Sequence, residues 1–118
     1  MDDFVFKGIP SRVIFGTGTL SAVAEEVDRL GGKAALVLST SNQADDAARL
    51  ASDLGDCCVG LFSEAAMHTP VAITDKALEV ARSLGADCLV SLGGGSTVGL
   101  GKALSIRMGL PHLAVPTT

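Results

Sequence analysis

The chain has 118 residues, 47% of them hydrophobic and only 3% aromatic, which suits one domain with an aliphatic core and excludes a disordered segment. Lys and Arg number 9 against 13 Asp and Glu, a net charge of −4 spread along the chain. No basic patch is gathered, which excludes a nucleic-acid-binding surface.

Short apolar runs alternate with longer segments of helical period. Val13-Ile14-Phe15 reads as a brief strand closed by the turn Gly16-Thr17-Gly18. Leu20, Val23, Val27 and Leu30 then recur at helical spacing, with Thr19 as N-cap and Gly31 as the stop. Ala34 to Leu38 reads as a fully buried strand. A helix follows from Ser41 or Asn42, carries Asp45 and Asp46 in its first turn, and ends at Leu54-Gly55. Cys57 to Leu61 is the third strand. Thr69-Pro70 starts another helix, with proline in the first helical position, that buries Ile73, Ala77, Val80, Ala81 and Leu84 before Gly85. Cys88 to Leu92 is a strand, Ser96 to about Met108 a helix, and His112 to Val115 the last strand. This alternation predicts an α/β fold, a Rossmann-like parallel sheet with helices on both faces.

The cysteines, Cys57, Cys58 and Cys88, are odd in number and lack metal-ligand spacing, so they are expected as small core residues in a reducing compartment. No apolar stretch approaches the roughly 18 residues of a membrane span. Met1-Asp2-Asp3 is acidic where a signal peptide is basic, and a cytoplasmic location is expected. Of the two histidines, His68 sits in a loop beside a helix start, exposed or in contact with a ligand, and His112 reads as structural. The apolar Phe4-Val5-Phe6 suits an added edge strand or a partner contact. Pro116-Thr117-Thr118 leaves a buried strand at its carboxyl end, where open α/β sheets place ligands. Residues 1–118 are therefore expected to be a fragment of a longer protein.

The strongest chemical signal is Leu92-Gly93-Gly94-Gly95-Ser96-Thr97, a strand passing into a helix through three glycines. Glycines let backbone approach a ligand and adopt positive φ, and the free N–H groups of the helix start favour a phosphate. Ser96 has two competing uses, as helix cap or as phosphate ligand. A P-loop is excluded because Gly101-Lys102 is followed by Ala103. The G-x-G-x-x-G fingerprint fails because Val98 stands where its last glycine belongs. Gly99 and Gly101 each weaken their helix by about 1 kcal/mol relative to alanine, so neighbouring backbone or a bound cofactor is expected close against it. Lys102 reads, by itself, as a solvated side chain.

Gly93-Gly94-Gly95-Ser96, a lysine six residues after the serine, Pro116-Thr117-Thr118 and the opening Arg12-Val13-Ile14-Phe15-Gly16-Thr17-Gly18 together resemble the iron-containing alcohol dehydrogenase superfamily, which shares its fold with dehydroquinate synthase. The resemblance covers essentially the whole chain and matches the N-terminal domain of these enzymes. Gly99, where most alcohol-oxidising members have aspartate, and Met67-His68-Thr69-Pro70 are similar to the maleylacetate reductase branch.

The resemblance implies an oxidoreductase that uses NADH or NADPH to reduce a small molecule, maleylacetate, to 3-oxoadipate in aromatic-compound breakdown, working as a homodimer. It implies that Gly94, Gly95, Ser96 and Thr97 hold the pyrophosphate and that Lys102 belongs to the same cofactor cleft. Thr117 and Thr118 would lie across that cleft, and Thr69 near the adenosine. Many members carry aspartate at Thr40, where it binds ribose and repels a 2′-phosphate. Ser39, Thr40 and Ser41 are neutral here, which implies tolerance of both nicotinamides, and no nearby arginine favours NADPH. Metal ligands and most substrate-binding residues are expected in a helical C-terminal domain outside this chain, and no catalytic residue is identified within it. Two other readings stand beside this one: a metal-dependent alcohol or polyol dehydrogenase, and a non-catalytic nucleotide-binding module.

Overall fold

The computed structural model describes residues 11–13, 19–29, 31–65 and 71–115. Five strands, β1 (Ser11–Val13), β2 (Ala35–Leu38), β3 (Cys58–Phe62), β4 (Cys88–Leu92) and β5 (His112–Val115), alternate with four helices, α1 (Thr19–Arg29), α2 (Ala44–Leu54), α3 (Val71–Leu84) and α4 (Gly95–Met108). The strands form one sheet in the order β1-β5-β4-β2-β3, and every pairing is parallel. Such a sheet must be covered on both faces, and two apolar clusters do this. Val23 and Val27 of α1 and Ala47, Leu50 and Leu54 of α2 pack on Ala35, Val37, Val90, Leu113 and Val115. Ala77 and Ala81 of α3 and Leu100 and Leu104 of α4 pack on Leu36, Leu38 and Leu89. Alternate strand residues thus go to opposite faces, the period of two that a strand imposes.

The amino ends of β2 and β4 are clamped by one carboxylate. Asp87 accepts the backbone N–H groups of Lys33, at 3.1 and 3.0 Å, and Ala34, at 2.9 Å, while its own N–H donates to Ala34 O at 2.8 Å. From there the strands run level, Ala35 beside Cys88 and Leu38 beside Ser91.

The strands β4 and β5 and the expected buried strand β2 lie where the sequence pattern puts them, apart from Ala34, which precedes β2. Several boundaries move. The first strand is Ser11–Val13 rather than 13–15, and residues 14–18 lie outside the described ones, as does the predicted Thr69-Pro70 helix start. Thr19 is the first helical residue, not the cap. A 3-10 turn, Ser41–Gln43, precedes α2, which begins at Ala44 with Asp45 and Asp46 in its first turn. Cys57 belongs to a second 3-10 turn, Gly55–Cys57, because Gly55 ends α2 with φ 59° and the chain needs one more turn to enter β3. Leu84, expected inside, is 42% exposed, and Thr74 takes the buried place instead. Leu84 lies over Gly60 of β3, which is an edge strand, so only one side of the leucine is covered. Cys88 is fully buried, with Cys57 and Cys58 half-buried against the same cluster. Burial, then the neighbouring charge of Asp87, pushes the Cys88 thiol up to about 12.

Helix α4 meets the sheet most closely at Gly101. A Cβ there would run into Ser91 Oγ and His112 Nε2, which are themselves hydrogen-bonded at 2.7 Å in the core. The close approach expected from this glycine is therefore made by a buried polar pair on β4 and β5, and no cofactor is needed to account for it. His112, structural as expected, is 1% exposed. Burial first, and the charge of Lys102 second, lower its pKa from 6.5 to about 4, which keeps the ring neutral.

Two measurements check this account. Gly101→Ala, which raises helix propensity, is expected to destabilise the fold by about 3 kcal/mol through overpacking, read from urea unfolding; a gain in stability would refute the contact. His112 takes up a proton near pH 6.5 when unfolded but only near pH 4 when folded. Its contribution is therefore complete above pH 6.5 and declines as the pH falls toward 4, by up to about 3 kcal/mol. His112→Gln should flatten that slope in pH-dependent unfolding.

Candidate nucleotide site

The topology itself opens a crevice. The chain leaves β2 for α2 on one face and leaves the adjacent β4 for α4 on the other. The loops after these two strands separate above the carboxyl edge, the arrangement in which open α/β sheets bind ligands. The flanking ladders continue past the strand ends. Ser39 N–H donates to Phe62 O at 2.9 Å, Ala65 N–H to Ser39 O at 3.1 Å, and Gly93 N–H to Val115 O at 3.1 Å. Thr40 to Gln43 thus form one wall, and Gly93 to Ser96 the other.

The glycine wall is built for close approach. Gly93 has φ 140°, a conformation that strains any side chain. Gly94 is the helix N-cap, and Gly94 and Gly95 are exposed, with nothing within 4 Å of where a Cβ would stand. The cap, one of the two uses open to Ser96, therefore falls on Gly94, two residues earlier, because the helix begins at Gly95. Ser96, half-buried, stands in the first turn. That leaves its hydroxyl the second of its two expected uses. The first turn of α4 carries no acidic residue, whereas that of α2 carries Asp45 and Asp46. Of the two helix starts that flank this crevice, α4 is the one whose positive end is left for an external anion.

Thr97 lies under the turn. It is fully buried, its Oγ1 has no hydrogen-bond partner, and that atom stands 3.0 Å from where a Cβ on Gly93 would be. A buried hydroxyl without a partner costs about 1–3 kcal/mol, so the chain carries a polar atom beneath its glycine turn that the fold does not use. Together with the open space over Gly94 and Gly95, this fits a phosphate group.

The other predicted site residues divide. Ser39 is fully buried, and its hydroxyl donates to Thr40 O at 2.9 Å and meets Ser63 Oγ at 3.0 Å. It shapes the loop instead of facing a ligand, because the β2–β3 ladder encloses it. Thr40 is half-buried at the lip of the crevice. Lys102 is exposed, about 10 Å along the helix axis from Gly95 at 1.5 Å per residue; its charge reaches His112. Thr69, Thr117, Thr118 and His68 lie outside the described residues. Sequence reasoning missed Gln43, whose Oε1 stands 2.5 Å from where a Cβ on Gly93 would be. No local signal could have found it, since fifty residues separate the two walls and only the β2–β4 pairing joins them. Among the described residues no group of three or more His, Cys, Asp or Glu is placed to hold a metal ion, and no helix is long and apolar enough to cross a membrane.

A profile of the iron-containing alcohol dehydrogenases matches residues 10–118. The maleylacetate reductase of Sphingobium indicum is 59% identical over 115 residues, 98% of this chain and 32% of that protein. That of Rhizobium sp. strain MTP-10005 is 55% identical over 118 residues, 100% of this chain and 34% of its own length. The crystal structure of maleylacetate reductase from Agrobacterium tumefaciens superposes with a TM-score of 0.87 at 54% identity, covering 100% of this chain and 34% of that one. The chain thus spans about a third of the length of the curated relatives it matches.

The Thr97 hydroxyl provides a direct check on the site. Thr97→Val keeps the shape and removes only the unpartnered oxygen, so thermal unfolding should stay level or shift up by as much as about 1 kcal/mol. A loss of that size would mean the hydroxyl already serves the fold.

Proposed function

The chain belongs to the iron-containing alcohol dehydrogenase family, and on that premise we propose that it is the nucleotide-binding domain of a maleylacetate reductase. The observation that carries the reading is the crevice between β2 and β4, with its open glycines and the unpartnered Thr97 hydroxyl beneath them. The ligand proposed for it is NADH or NADPH. Backbone N–H groups at Gly94 and Gly95 and the Ser96 hydroxyl would hold the diphosphate against the start of α4, with Thr97 supporting from below. Thr40 would face the adenosine ribose, with Thr69, Thr117, Thr118 and Lys102 completing the cleft.

When bound, the nicotinamide supplies the hydride that reduces the carbon–carbon double bond of maleylacetate, giving 3-oxoadipate. The described residues bind and orient, and the negative macrodipole end of α4 points away from the ligand. Groups that hold the substrate carboxylates, and any metal ligands, belong in this reading to a helical domain beyond residue 118. A homodimer in the cytoplasm, where the three cysteines stay reduced, completes the proposal. The 55–59% identity to maleylacetate reductases favours this branch over an alcohol dehydrogenase.

The test is maleylacetate-dependent NADH oxidation by the full-length protein carrying this chain, with and without a strong chelator. Turnover is expected, and oxidation of an alcohol with no action on maleylacetate would move the protein to the other branch. With no carboxylate at positions 39–41, NADH and NADPH should bind within about tenfold of each other, since a nearby charge is what separates them strongly. Exclusion of NADPH would show that another group reads the 2′-position.

A further inference from the structure

We propose that Gln43 is a cofactor-positioning residue that reaches from the β2 wall of the crevice to the glycine turn and sets the space and charge a diphosphate meets there. The inference rests on the dinucleotide reading above. Four observations carry it. Gln43 occupies the N-cap position of α2 with φ −111° and ψ 19°, and its side chain makes no capping hydrogen bond. It is half-buried while its neighbours Ser41 and Asn42 are exposed, which turns it inward toward the crevice. Its Oε1 stands where a side chain on Gly93 would go, so it backs the one residue of the turn whose positive φ aims the following N–H groups. It is also neutral, although the next two carboxylates, Asp45 and Asp46, follow closely in the first turn of α2.

A carboxamide suits this place on physical grounds. It offers both a donor and an acceptor, so it can hold backbone on one side while presenting an N–H to a phosphate oxygen on the other. A carboxylate of the same size would accept only, and would set a negative charge against the ligand's two. A flexible apolar chain would fill the space and orient nothing. Gln43 thus joins the two walls, and the shape of the turn is matched to the diphosphate from the β2 side as well as from α4.

The experiment compares Gln43→Glu and Gln43→Met with the wild type in the full-length protein, by NADH fluorescence titration at low and high salt, thermal unfolding, and steady-state kinetics. Gln43→Glu is expected to raise the Kd for NADH at least about tenfold at low ionic strength, with the penalty shrinking as salt screens it. Gln43→Met should raise it severalfold at either salt. Both should melt within a few degrees of wild type and raise KM for NADH while kcat changes less than about twofold. Wild-type affinity in both variants, or a loss of thermal stability with unchanged Kd, overturns the assignment while leaving the dinucleotide reading in place. Failure of the wild type to bind NADH overturns both.

Discussion

Strands β2 and β4 lie side by side with Leu38 level with Ser91, and the Asp87 carboxylate fixes their amino ends by taking three backbone hydrogen bonds from Lys33 and Ala34. Residues fifty apart in sequence are thereby set in register. Because the chain departs from β2 to one face and from β4 to the other, two loops that never meet in sequence become the walls of one crevice. A one-residue slip of this pairing would turn Leu36 and Leu89 to the wrong face. It would also separate Gln43 from Gly93. The same registry therefore holds the core and shapes the candidate site.

Helix α4 has a second constraint on its inner face. It buries Thr97, Gly101 and Ser105 alongside Leu100 and Leu104, a mixed face that gains less from apolar burial than α1 or α2 does. What it gains instead is distance: with no side chain at Gly101 the helix settles onto the Ser91–His112 pair. Burial keeps that imidazole neutral, so the cost is that of a polar ring bonded at Nε2 with Nδ1 left without a partner, and not of a buried charge. At its far end the helix closes on Gly109, with Ser105 Oγ donating to Leu110 O at 2.6 Å. The helix start thus stands just past the end of β4, beside the crevice.

The chemistry available to the described residues follows from this placement. They offer backbone donors, small hydroxyls and a carboxamide, and at the crevice no acidic group except those that α2 uses for its own start. Such a set suits the binding and orientation of an anion. Among the described residues it includes no cluster suited to a metal.

The sequence by itself determined the α/β class and the strands β2, β4 and β5, because buried parallel strands are short continuous apolar runs, and it singled out the glycine turn as the candidate site, because consecutive glycines before a helix start suit a phosphate. The family, too, was legible in Gly93 to Ser96 and Lys102, and residues 10–118 match it. The ends of elements were not, since Thr19 and Cys57 each sit one step, and Ser96 two, from where local preference put them, and a boundary is settled by the chain's need to reach the next element. Only the tertiary structure decided which side chains border the crevice. It committed Ser39 to its own loop, buried Thr97 without a partner beneath Gly93, and brought Gln43 across from the other wall. It also showed that Gly101 answers to His112 and Ser91. These are contacts between residues far apart in sequence, and no local pattern encodes them, because the packing that creates them exists only once the sheet has formed.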